Sequence, residues 1–79
     1  MNDKIIEEFL EVECDDYTRD LLLRTLDEIP PNSTREITLN AFNVLIDTQT
    51  QKATIEDELD VERSTEMTLD QMRAILTVD

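Results

Sequence analysis

A chain of 79 residues has room for one domain and one core, and its 20 acidic against 7 basic residues give a formal charge of −13. That balance argues against direct binding to nucleic acid or to anionic membrane surfaces, since both depend on lysine and arginine. Histidine and glycine are absent and cysteine occurs once, which removes triads, the common zinc sites and an internal disulfide, and disfavours glycine-dependent phosphate loops.

Without glycine, tight hairpins and left-handed caps lose their usual residue, so the expected fold is all-α: a compact bundle of four to five short helices in one acidic helical domain, residues 1–79. Residues 3–14 carry Ile5, Ile6, Phe9 and Leu10 at helical spacing, with Asn2 or Asp3 as the cap. A second helix is expected from about Asp16 to Glu28 around Leu22 and Leu26, ended by Pro30 and Pro31. Ser33 and Glu36 have capping-box spacing, and the segment that follows has one apolar stripe of Ile37, Ala41, Val44, Leu45 and Thr48. Leu39, Phe42 and Ile46 make a second stripe, so 34–52 is expected as the central helix. Thr54 to Val61 reads as a short helix with Ile55 and Leu59 inward. A last helix opens at Thr68, which forms a capping box with Gln71, while Met67 and Met72 stand at staple spacing.

The charge is unevenly placed. Residues 1–31 sum to −7, residues 32–53 to zero and residues 54–79 to −6, which suggests a neutral buried centre between two acidic walls. Residues 3–16 hold seven carboxylates, and along one helix of about 21 Å their linear density would approach the roughly 3.4 Å spacing of phosphates on a DNA strand. Glu7, Glu11 and Asp15 also follow one another at i, i+4, where like charges weaken a helix. A basic partner surface would compensate for that repulsion and speed association.

No catalytic constellation is expected, because nothing marks a carboxylate pair whose pKa values are driven apart. "DELDVE" (57–62) lacks the alternating ligands and glycine turn of an EF-hand loop, so neither a metal nor another cofactor is expected. Cys14, set among acids, reads as a small packed hydrophobe. No apolar run is long enough for a signal peptide or a membrane span, and the expected compartment is a reducing cytoplasm.

In size, acidity, low aromatic content and helix layout the chain loosely resembles an acyl carrier protein, with Ser33 at the start of the expected central helix and "IEDELDVE" like the end of a recognition region. The resemblance implies phosphopantetheine on Ser33. The sequence departs from the carrier motif in reading Asn32-Ser33-Thr34 where carriers have Asp-Ser-Leu, and in predicting a helix over 16–28 where carriers keep a long loop.

The leading expectation is a small acidic inhibitor or immunity-type binder that occupies the positive surface of a nucleic-acid-binding protein or a nuclease, as phage anti-defence proteins do. Its contact residues would be Glu7, Glu8, Glu11, Asp15 and Asp16 in the first wall and Glu56, Asp57, Asp60 and Glu62 in the second. The alternatives are the carrier-like adaptor and a phage or plasmid interaction module that dimerises through Leu39, Phe42 and Ile46.

Overall fold

The computed structural model describes residues 3–60 and 62–77, without the side chain of Asp3, so the expected cap at Asn2 or Asp3 and the position of Val61 lie outside the described residues. Its elements in chain order are α1 (Asp3–Val12), α2 (Asp16–Glu28), β1 (Thr34–Thr38), β2 (Phe42–Asp47), β3 (Lys52–Asp57), β4 (Ser64–Thr68) and α3 (Leu69–Thr77). The four strands form one antiparallel meander, β1-β2-β3-β4.

Alternation along the strands sorts the two faces of the sheet. Phe42, Val44 and Ile46 of β2, Ala53 and Ile55 of β3, and Met67 of β4 point to one side and are buried with Ile5, Ile6, Phe9, Leu22, Leu26, Met72 and Leu76 of the helices. Val44 lies opposite Ile37 on one neighbour and Ile55 on the other. Phe9 meets Phe42 edge to face, ring centres 5.7 Å apart, which locks α1 to the sheet. The opposite face carries Glu36, Asn43, Leu45, Asp47, Lys52, Thr54, Glu56 and Glu66 and is not covered by a helix. The fold is therefore two-layered α+β, with three helices packed on one face of a four-stranded sheet.

This overturns the all-α expectation. The expected helices over 34–52 and 54–61 are instead β1, β2, β3 and the loop after β3. Their β-branched residues and threonines sit better on a pleated sheet than in a helix, and Phe42, Val44 and Ile46 have period two, which outweighs the weaker helical match. The turns manage without glycine. In the β2–β3 turn Gln51 takes φ 59° and its amide donates to the Thr48 carbonyl at 2.7 Å, while Asp47 Oδ1 accepts the Gln49 N–H at 2.8 Å. Aspartate and glutamine side chains thus supply the local hydrogen bonds that stabilise such turns.

Other expectations hold in part. The second helix runs over Asp16–Glu28, with Asp15 as its cap. Thr68 and Gln71 exchange capping-box hydrogen bonds of 3.0 and 3.1 Å, and Met67 and Met72 are both buried. The Ser33 box does not form: the Ser33 N–H donates to Thr48 Oγ1 at 2.9 Å and its carbonyl accepts the Thr48 N–H, so Ser33 leads into a strand. With no helix starting there, the carrier layout is absent. Phe42 and Ile46 are core residues, and the dimer face expected of Leu39, Phe42 and Ile46 does not exist as a surface. No described helix is long and apolar enough to cross a membrane.

Candidate functional site

Helix α1 turns Ile5, Ile6 and Phe9 to the core, which leaves Glu7 and Glu11 exposed and Glu8 at the margin. The helix ends at Val12 because Glu13 turns inward: its buried carboxylate accepts the backbone N–H groups of Ala41 and, at 3.4 Å, Asn40, both in the β1–β2 turn. Asp15 follows as the α2 cap, taking the Thr18 N–H at 2.8 Å, and that bond holds its carboxyl below the usual carboxylate range. Seven carboxylates on one straight rod therefore do not occur: the chain breaks at 13–15, and two of the seven, Glu13 and Asp15, are taken up by backbone hydrogen bonds.

The second wall also divides. Glu56 lies on the uncovered sheet face beside Asn43 and Ser64. Asp57, one residue on, belongs to the helix-covered side and starts a tight loop, in which Leu59 N–H donates to Asp57 Oδ1, Glu62 N–H to Asp60 Oδ1, and Asp57 N–H to the Arg63 carbonyl. Glu58 N–H donates to the Ala41 carbonyl at 3.0 Å, pinning this loop to the β1–β2 turn.

Arg63 joins the two walls. Its guanidinium donates to Glu8 at 2.7 Å and to Asp57 at 2.7 Å. The hydrogen bond it donates to Glu8 and the charges of Glu8, Asp57 and Asp60 hold its pKa above the ordinary arginine value. Glu8 and Asp57 thus stand at one end of the molecule, with Asp60 and Glu62 on the adjoining loop. Glu7, Glu11, Asp16, Glu56, Asp60 and Glu62 form no ion pair among the described residues.

Beside this bridge a cleft of about 470 Å³ opens between the last turn of α1 and the β3–β4 loop. Ala41, Phe42, Val12 and Leu59 give it apolar walls, and Glu8, Asp57 and Glu58 give it an acidic rim. Leu59 is 96% exposed and Val12 64%, so Leu59 does not point inward as its place in a helix would require. None of Val12, Asn40, Ala41, Glu58 and Leu59 was an expected site residue, and Phe42 was expected only on a dimer face. The available signal was a lone leucine inside an acidic run, legible only once that run is known to be a loop.

A smaller hollow of about 230 Å³ lies on the uncovered sheet face around Leu45 and Thr54, beside the Lys52–Glu66 ion pair at 3.2 Å. No three metal-ligating side chains converge among the described residues. Comparison with protein-family models, with curated proteins and with solved structures gives no match.

Proposed function

We propose that this chain is a small acidic binding protein, acting in the cytoplasm, that neutralises a basic, nucleic-acid-handling protein by occupying its positive surface. The observation that carries the reading is the convergence of two acidic segments, distant in sequence, on one end of the fold through the Arg63 bridge to Glu8 and Asp57. The net charge of −13 gives long-range attraction to a positive cleft. The reading requires no chemistry of its own, only occupation.

The test is capture from host lysate with wild type and with a Glu7→Lys, Glu11→Lys, Glu62→Lys variant, which changes exposed side chains outside the fold's hydrogen bonds. The reading expects a basic protein released by moderate salt, lost with the variant, and displaced from its nucleic acid by added wild-type chain. If the captured protein keeps its nucleic acid in the presence of excess chain, the reading is wrong.

A further inference from the structure

The cleft between α1 and the β3–β4 loop combines features that a solubility coat does not need. Leu59 is held out at the loop tip by a defined set of bonds: its own N–H to Asp57 Oδ1 at 2.8 Å, Glu58 N–H to the Ala41 carbonyl at 3.0 Å and Arg63 N–H to the Asp60 carbonyl at 2.9 Å. Val12 of α1 lines the cleft with Leu59, together with Ala41 and Phe42. The volume, about 470 Å³, lies within the range of sites that enclose a bulky group. Glu8, Asp57 and Glu58 stand around an otherwise apolar hollow, and with Arg63 bridging the first two the rim keeps a net negative charge.

That combination selects its occupant by charge. A second copy would bring one acidic rim against another at −13 each, and lipid headgroups or nucleic acid would be repelled in the same way. A basic polypeptide is attracted. Surfaces that handle single-stranded nucleic acid carry arginine and lysine for the backbone and aromatic side chains for the bases, and aromatic and arginine residues dominate binding energy when they enter desolvated pockets.

We propose that the cleft seats an aromatic side chain of the partner between Val12 and Leu59, while flanking arginines are drawn to Glu58 and to the net negative rim that remains around the Arg63 bridge to Glu8 and Asp57. The inference rests on the acidic-binder reading above and specifies its recognition element: the aromatic residue that would stack on a base is captured together with the cations that would hold the phosphates.

The chain contains no tryptophan, so the emission of a tryptophan in a probe peptide reports directly on the cleft. The probes are two acetylated, amidated heptapeptides, Ala-Arg-Arg-Trp-Arg-Arg-Ala and the same peptide with serine in place of tryptophan. Affinities are measured by calorimetry at low salt, and tryptophan emission is followed for the first. Binding of the tryptophan peptide about tenfold tighter than the serine peptide, with blue-shifted emission, is expected. Leu59→Ser with Val12→Ser should erase both the advantage and the shift; these exposed positions leave the fold intact, which circular dichroism checks. Equal affinity for the two peptides, or an advantage that survives in the double variant, overturns the cleft proposal. The acidic-binder reading is judged separately: it stands if the serine peptide binds in a salt-dependent way that the Glu7, Glu11, Glu62 reversal weakens, and it falls, taking the cleft with it, if neither peptide binds at low salt.

Discussion

The buried carboxylate of Glu13 accepts the backbone N–H of Ala41, 28 residues away, and so fastens the end of α1 to the β1–β2 turn. This contact and the Glu58–Ala41 backbone bond fix two walls of the cleft against the same turn. One turn without glycine thereby sets the spacing between Val12 and Leu59.

Removing that carboxylate leaves two turn amides without their partner. Glu13→Ala should lower stability by about 1–3 kcal/mol, the usual cost of an unsatisfied buried donor, and Glu13→Gln should lose less because it keeps an acceptor. Urea denaturation of the three proteins measures this, and an alanine variant as stable as wild type would show the bond to be dispensable.

Arg63 presents the opposite case, since its ion pairs are half-exposed and such pairs contribute little to global stability. Arg63→Gln should leave the melting temperature close to wild type while amide hydrogen exchange rises selectively in residues 58–63. Uniform acceleration across the sheet would instead make the bridge part of the global fold.

Gln51 sits at φ 59°, a conformation disfavoured for any side chain with a Cβ. Gln51→Gly should therefore raise stability by up to about 1 kcal/mol, after the added flexibility of the unfolded chain is subtracted. Gln51→Val should lower stability by at least about 1 kcal/mol, because β-branching tolerates this region least. Chemical denaturation of the pair reads the sign directly.

Burial is the largest cause of the raised pKa of Cys14, which reaches about 11 from 9.0; Arg19 opposes the rise, and Glu13 and Asp15 add to it. At pH 8 its thiolate fraction, and with it the rate of alkylation by iodoacetamide, should be about a hundredfold below that of a free thiol of unshifted pKa. The linkage sign follows: folding favours the protonated thiol, so stability falls as pH rises from 9.0 toward 11. Rapid alkylation of the native protein at pH 8 would contradict the burial.

Self-repulsion at −13 should be relieved by salt, because screening acts on the many unpaired surface carboxylates more than on the few ion pairs. The melting temperature should climb by several degrees between about 20 mM and about 500 mM NaCl, where the screening length shortens from roughly 20 Å to about 4 Å. A flat profile would mean that the acids lie too far apart to repel.

What the sequence determined by itself was whatever depends on neighbours a few residues apart. The bounds of α2, the capping box of Thr68 and Gln71 and the buried faces of the terminal helices follow from side chains that meet within one or two helical turns. The middle of the chain was decided by tertiary structure. Ile37 and Val44 fit a stripe of one expected helix and Ile55 the inner face of another, but they become one row of a sheet only when three strands align, and that pairing involves partners far apart in sequence. The absence of glycine misled for a related reason: a hairpin needs a particular backbone path, and Asp47, Gln51, Asp57 and Asp60 achieve it through side-chain and backbone bonds that exist only once the strands are paired. The acidic composition was plain from the residues. Only the folded arrangement, with Glu13 turned inward and Arg63 drawing Glu8 to Asp57, determined which acids support the scaffold and which surround an apolar cleft.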